Sequence, residues 1–521
     1  MKRKIEIEKL SSEKEWDFVI IGGGASGLGS ALDAASRGFK TLLLESYDFS
    51  KGTSSRSTKL IHGGVRYMAQ GHLDLVKEAL KERGLLEKNA SHIVSRQSFI
   101  IPNYTWWEGI YYKIGLTFYD LLAKNLSLGK TKYLSREEVL KRLPTLKSKK
   151  LSNGVSYIDG QFDDARLSVN LAQTIIEQGG GAINYMEVTN LEKERKKITG
   201  VTAKDKLSGK SYLIRAKVVI NATGVFTNKI LNMDSKNHGI FVVPSQGTHL
   251  VLDSSFLKSK DAIMIPKTTD GRVLFIIPWR NKALVGTTDT LVEHPNDEPR
   301  AKPEEIDFIL NTSARYLTKK PTKADVLSVF AGLRPLAAPK NNATKTKEVS
   351  RSHKVIVSDS GLITITGGKW TTYRKMAEDT VNKAIKIHKL PKKECKTDNL
   401  SIHGSIKVPE VHKNNSLYFY GSDATFILEL EKNNPGYAEK IHPRYDFTVA
   451  EIIWSVRNEM AETVEDILAR RTRLLFLDAK AAIECASRVA EIMAKEKSYD
   501  ENWVSKQTEN FITLATGYLL T

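Results

Sequence analysis

The chain has 521 residues, 41% hydrophobic and 27% charged, an ordinary balance for a soluble globular protein with a sizeable core in about three or four domains. Lys and Arg outnumber Asp and Glu by 79 to 60, and the net charge of +19 draws nucleic acid, anionic lipid or anionic metabolites without choosing among them. Cys395 and Cys485 form no CxxC pair, which excludes a disulfide framework and a cysteine-based zinc site; with no signal-peptide core and no apolar run of about eighteen residues, a cytoplasmic protein is expected.

Asp17 to Ile21, DFVII, is a short apolar run suited to a buried parallel strand. It enters GGGASG and then LGSALDAASRG, whose alanines and leucines predict a helix ending at Gly38; KTLLLES follows as a second strand. From Leu73 to Leu86 the apolar spacing is helical and the outer face charged. Residues 104 to 128, YTWWEGIYYKIGLTFYDLLAKNLSL, are unusually aromatic and apolar for a soluble surface. KVVINATG, 217 to 224, is another strand-to-turn signal. Between His249 and Thr288 the chain turns β-rich, with breaks such as Asp270–Gly271, which reads as an antiparallel sheet facing the substrate. GLITITGGKWTTYRKMAEDTVNKA returns to strand, glycine turn and helix. After about residue 390 the strands largely stop. TVAEIIWSVRNEMAETVEDILARR carries a capping box at Thr448 and Glu451 and puts Ile452, Ile453, Val456, Met460 and Val464 on one stripe, so a helical C-terminal domain is expected.

Gly22, Gly24 and Gly27 form G-x-G-x-x-G between a strand and a helix. The first allows the tight turn, the second admits a pyrophosphate, and the third permits close helix–strand packing. Phosphate oxygens would sit on the free N–H groups of the helix start at Ala25 and Ser26. Glu45, ending the second strand, is placed for the adenosine ribose hydroxyls. The motif alone does not separate FAD from NAD. NATG at Asn221–Gly224 and TGGKWTTYR at Thr366–Arg374 are further strand-end glycine turns. A cofactor domain built from separated segments, interrupted by an antiparallel sheet, resembles two-domain flavoprotein oxidoreductases.

GGGASGLGSALDAASRG, GTSSRSTKLIHGGVRY, AGLRPL, SRSHKVIV, GGKWTTYR and VRNEMAETVEDILARRTRL follow in one order across nearly the whole chain. This ordered set is similar to that of the FAD-dependent glycerol-3-phosphate dehydrogenases. The resemblance implies an α/β fold: a Rossmann-like FAD-binding domain (1–75, 155–245 and 350–385) with an antiparallel-sheet substrate domain (76–154 and 246–349) and a C-terminal helical domain (386–521). It implies oxidation of sn-glycerol 3-phosphate to dihydroxyacetone phosphate by hydride transfer from C2 to FAD N5, with electrons passed to a quinone. It also allows a homodimer.

That reaction needs a clamp for a phosphate dianion, a base for the C2 hydroxyl and a flavin. Arginine suits the clamp because its planar fork binds phosphate bidentately. The resemblance maps substrate cations onto Arg66, Arg334 and Arg351, with Lys369 close to the flavin. Read singly each arginine is a surface charge or structural ion pair sooner than a ligand, and Arg334, beside a proline in an apolar stretch, is the best on context. His62 and His249 compete for the base, Tyr67 either bonds substrate or packs, and Lys369 with the helix start near Thr371 and Thr372 suits the charge of a reduced flavin. By the same resemblance the flavin contacts run through Ser46, Thr53, Ser54, Ser57, Lys59, Leu60, His62, Gly63 and Gly64, then Val188, Ala222, Thr223, Gly224, Gly368, Lys369 and Thr371. No metal site is expected.

The aromatic residues of 104–128, with Lys113, Lys124 and Lys130 nearby, suit either an interfacial helix on anionic lipid or a core helix. Resemblance favours peripheral attachment to the cytoplasmic face of a membrane, with access to quinone. The rival readings are a glycerol-3-phosphate oxidase that passes electrons to O₂ and makes H₂O₂, an amino-acid-oxidising flavoenzyme, and a basic nucleic-acid-binding protein. The short 334–351 connection favours the dehydrogenase, and no nucleic-acid reading motif accompanies the basic residues.

Overall fold

A computed structural model describes the chain except residues 66, 67, 69, 70, 236–239, 269, 270, 340–352, 407–415 and 521, and the side chains of 240, 241, 337–339 and 416. Trp16–Ile21, Thr41–Leu44 and Ser211–Asn221 are the parallel centre of an eight-stranded sheet. Their apolar runs are continuous because both faces are covered. Phe18 and Ile20 enter the core beneath the helices, while Val19 and Ile21 enter a second core under the meander Met186–Glu194, Lys197–Asp205 and the start of Ser211–Asn221. The helix Ala25–Ser36 packs against both Asp164–Glu177 and Tyr373–Ile387. The expected strand, glycine turn, helix and strand all form, and Gly38 follows the helix at φ 78°.

The second sheet has ten strands, and its long spine is the antiparallel pair Ile240–Asp253 and Val326–Pro339. One pair departs from the expected antiparallel arrangement: Ala262–Ile265 lies parallel to Val94–Asn103. Two expected domain boundaries fall inside strands of this sheet, 155 within Asn153–Phe162 and 246 within Ile240–Asp253. Leu60–Ile61, expected in the cofactor unit, also pairs into this sheet, against Gln161 and Gly160. Local sequence does not decide which sheet takes these segments; long-range pairing does.

The C-terminal part is helical, as in Ala424–Asn433, Ala486–Lys497 and Glu501–Thr516. The expected capping box does not form. Thr448 precedes the helix Val449–Asn458, but its hydroxyl donates to Glu431 at 2.8 Å, and Glu451 is buried instead, accepting from Tyr420. Burial raises the Glu451 carboxyl to about 8, against the pull of Arg280 and Arg166. Nor does the apolar stripe run through one helix. The helix ends at Asn458, Met460 takes φ 54°, and a wider π turn spans Asp466–Arg471. Ile452, Ile453 and Val464 join one core and Met460 another.

The break frees charged side chains for buried pairing. Asp48 accepts from Arg470 Nε at 2.5 Å and from both terminal nitrogens of Arg471 at 2.7 and 3.0 Å. Glu459 pairs with Arg166, and Glu465 bridges Lys51 at 2.6 Å and Arg470 at 2.7 Å. The helical part is thus bolted to the loop that follows the second strand. Burial works to raise the Glu465 carboxyl, but Arg470 and Lys51 outweigh it and hold it at about 2. A depressed carboxylate stabilises the fold fully above its ordinary value and progressively less as pH falls toward the folded value. Glu465→Gln should therefore lower unfolding free energy by about 3 kcal/mol at neutral pH. In denaturant titrations the gap from wild type should close between pH 4.5 and about 2; a gap that persists at pH 2 would contradict the pairing.

Candidate active site

A cavity of about 640 Å³ runs between the two sheets, from the Gly22 turn at one end to His249 and Arg334 at the other. At the first end the strand Trp16–Ile21 stops at Gly22, whose φ is 109° and whose added Cβ would sit 2.7 Å from the Ala222 carbonyl oxygen. Gly24 is the N-cap and has no side chain to cap the helix; the Ala25 N–H donates to Ser54 Oγ at 2.9 Å, and Ala25 and Ser26 line the cavity. Gly27 lines no part of the cavity; a Cβ there would fall 1.8 Å from the Gly22 carbonyl oxygen, which is the close helix–strand contact expected of it. The Glu45 carboxylate accepts from the Gly23 N–H at 2.6 Å and the Tyr47 N–H at 2.9 Å. Burial raises its pKa against those bonds. A carboxylate has about four acceptor sites, so a ribose hydroxyl can still be received there.

Along the middle lie Ser46, Thr53, Ser54, Ser57, Leu60, Gly64, Val188, Ala222, Thr223 and Gly224. Gly367 and Gly368 follow the strand Ile363–Thr366 with φ of 78° and 81°, and deliver Lys369 and Thr371 to the cavity. The first turn here is a 3-10 turn, Trp370–Thr372, with the α-helix starting only at Tyr373. Trp370 Nε1 donates to the Ser54 carbonyl at 2.8 Å and ties this segment to the 51–58 loop.

At the far end the register sets Ser245 opposite Arg334, Gly247 opposite Gly332 and His249 opposite Phe330. Alternation along each strand puts all six on one face of the sheet. The two glycines open the space between. A Cβ at Gly247 would lie 2.4 Å from the Arg334 guanidinium, and one at Gly332 would strike Arg56. Arg334 donates to Thr287 Oγ1 at 3.2 Å and lies 3.5 Å from Asp289. The His249 ring stacks on Phe330 with centroids 5.0 Å apart, and its Nε2 lies 2.9 Å from Thr58 Oγ1. Among the described residues its buried Nδ1 has no hydrogen-bond partner. Burial first, then the charges of Lys59 and Arg334, drive the imidazole pKa well below 6.5.

His62 also lines the cavity, its backbone N–H donating to Thr371 Oγ1 at 3.2 Å. Lys59 does not. Its ammonium is buried, 2.6 Å from Asp164 and 2.7 Å from the Ser55 carbonyl, and burial lowers it to about 7 against the attraction of Asp164. Gly63 lies behind the wall, packed against Leu80 and Tyr119. Arg66, Tyr67, Arg351 and much of the 334–351 connection lie outside the described residues. Sequence reasoning passes over Thr58, the partner of His249, and Asp159, which lines the cavity from Asn153–Phe162. Thr58 stands in the quoted STKLIHGG stretch, whereas Asp159 has no local signal because its strand reads as core.

The helix start at Gly24, the glycine-walled trough, the receiving acid and the sheet face carrying Arg334 and His249 together fit a dinucleotide and a small ligand beyond it. Residues 17–374 match the FAD dependent oxidoreductase family, and 362–503 match the C-terminal domain of alpha-glycerophosphate oxidase. The mitochondrial glycerol-3-phosphate dehydrogenase of Macaca fascicularis is 38% identical, over 99% of this chain and 76% of that protein. That of Schizosaccharomyces pombe is 37% identical, over 97% of this chain and 88% of that protein. The crystal structure of glycerol-3-phosphate dehydrogenase from Bacillus halodurans complexed with FAD superposes with a TM-score of 0.82 at 30% identity, covering 100% of this chain and 98% of that one. The chain belongs to the FAD-dependent glycerol-3-phosphate dehydrogenase family.

Proposed function

We propose that the chain oxidises sn-glycerol 3-phosphate to dihydroxyacetone phosphate and hands the electrons to a quinone. The observation that carries this reading is the single sheet face on which Arg334 and His249 meet the far end of the cavity. FAD, held along the glycine-walled trough, supplies the acceptor for the C2 hydride. Arg334 offers its fork to the phosphate dianion, each charge-assisted bond contributing about 1.5–3 kcal/mol. Arg66 and Arg351 are further cations of this clamp in the proposal, and Tyr67 a hydrogen-bond partner of substrate. Lys369 and the Trp370–Thr372 turn supply positive charge beside the cofactor.

His249 is neutral at physiological pH because of its burial. As the base, a neutral His249 would take the C2 hydroxyl proton; its Nδ1 is buried, and its Nε2 lies against Thr58, which also lines the cavity. His62, which also lines the cavity, is the alternative base. His62→Gln and His249→Gln in the purified holoenzyme separate them. The variant lacking the base should slow flavin reduction about 10²–10⁴-fold. A His249 base works only when deprotonated, so its acid limb in stopped-flow should lie well below pH 6.5. A limb near 6.5 would assign the proton to another group.

The decisive experiment adds sn-glycerol 3-phosphate anaerobically to the purified holoenzyme. The flavin band near 450 nm, an approximate position, should bleach and return on adding a quinone analogue. An unbleached band overturns the substrate. Reoxidation by O₂ at catalytic rate, with stoichiometric H₂O₂, would favour the oxidase reading, which the name of the C-terminal family match supports.

The quinone acceptor calls for a lipid surface, and the helix Trp106–Ala123 supports one. Its inner face carries Leu116 and Tyr119, while Trp106, Ile114 and Leu121 are 72%, 67% and 69% exposed. Among the described residues no helix is long and apolar enough to cross a membrane. In this proposal the helix rests on anionic lipid at the cytoplasmic face of a membrane, and the enzyme is a homodimer. Flotation with anionic vesicles at low salt should carry the protein upward. Ile114→Asp with Leu121→Asp should abolish it without changing the melting temperature; flotation that survives removes this helix as the contact.

A further inference from the structure

We propose that Tyr119, which does not line the cavity, is a positioning residue that fixes the direction of His62. The proposal rests on the reading that the cavity is the oxidation site. Tyr119 stands on the inner face of Trp106–Ala123, fully buried among Val76, Leu80 and Ala123. Its hydroxyl accepts from the Gly63 N–H at 2.7 Å and donates to Asp159 Oδ2 at 2.8 Å. The other Asp159 oxygen accepts from Arg83 at 2.6 Å. The carboxylate that steadies Tyr119 is therefore itself held by a buried guanidinium.

The geometry acts through the peptide planes. A residue's backbone has two soft dihedrals, set by the planes before and after its Cα. The plane before His62 is held by its own N–H on Thr371 Oγ1, from the cofactor side. The plane after it is held by the Gly63 N–H on Tyr119. With both planes pinned from opposite sides, the Cα–Cβ direction of His62 is determined. Glycine follows because of the close approach: a Cβ at Gly63 would lie 2.7 Å from the Tyr119 hydroxyl and 2.7 Å from Leu80. Burial, reinforced by Asp159, lifts the Tyr119 pKa well above 10, so the hydroxyl remains a donor throughout the working range.

Tyr119→Phe keeps the ring and removes both bonds. Flavin reduction by sn-glycerol 3-phosphate in the holoenzyme should slow about tenfold or more, with substrate dissociation constant and flavin spectrum little changed. Leu80→Ala disturbs the same packing without touching either bond, and should reduce flavin within about twofold of wild type, a margin small against the losses expected from misplacement. Amide exchange followed by mass spectrometry supplies a readout independent of turnover. In wild type the Gly63 amide should be protected, and protection should fall in Tyr119→Phe but not in Leu80→Ala. Wild-type reduction rates in Tyr119→Phe, equal slowing in Leu80→Ala, or an unprotected Gly63 amide in wild type would each overturn the proposal. A wild-type holoenzyme not reduced by this substrate defeats the functional reading instead, while the exchange experiment still decides the positioning.

Discussion

The structure depends on one buried carboxylate. Asp164 opens the helix Asp164–Glu177 and collects two distant parts of the chain on its two oxygens. Lys59 and Ser57 reach Oδ2 at 2.6 Å each, and Arg473 reaches Oδ1 at 3.2 Å from the C-terminal part. Taking such charges out of water is costly, and only close pairing with further hydrogen bonds offsets it. Here the neighbours complete the balance. Asp163 takes Arg280 at 2.8 Å, and Trp279, Phe330 and Phe476 surround the ammonium at 5.4 to 5.7 Å. Three cations face two acids, and Lys59, lowered to about 7, is the member that sheds its proton most readily. The arrangement explains the site's geometry. With Ser57 and Lys59 turned onto Asp164, Thr58 between them faces the other way and meets His249.

The same constraint shows where reading the sequence succeeds and where it fails. The glycine turn at 22–27 is legible because each glycine answers a local steric demand, at Gly22 against Ala222 and at Gly27 against Gly22. Lys59 is misleading for a physical reason. A lysine near His62 and two glycines looks like an anion site, but Thr58, Leu60, His62 and Gly64 line the cavity while Lys59, Ile61 and Gly63 do not. Direction, not proximity in sequence, sorts cavity residues from core residues, and direction is set by Asp164, about a hundred residues away along the chain. The 448–473 stretch fails likewise. Its stripe reads as one helix, but Glu459, Glu465, Arg470 and Arg471 gain more from partners elsewhere than from another turn. Tertiary pairing overrides local periodicity.

The two histidines illustrate the complement. Each was visible in the sequence, but their surroundings were not. His249 sits on a central strand, buried, stacked and paired, so its protonation state is fixed by the core. His62 sits beyond the short strand Leu60–Ile61, where its own amide is held by Thr371 and the next one by Tyr119. A sheet interior thus holds one imidazole neutral, and a tethered loop fixes the backbone of the other.

Buried ion pairs such as Asp48 with Arg471 or Asp159 with Arg83 each remove one charge of either sign and leave the surplus of +19 untouched. Surface charge acts over about 8 Å at physiological salt, enough to steer a phosphorylated substrate or hold an anionic interface but not to read its shape. In the proposed function shape would be read inside by Arg334, which passes over Gly247, and outside by the exposed apolar side chains of Trp106–Ala123. The excess of lysine and arginine would then gather anions broadly, while a few positioned side chains would choose among them.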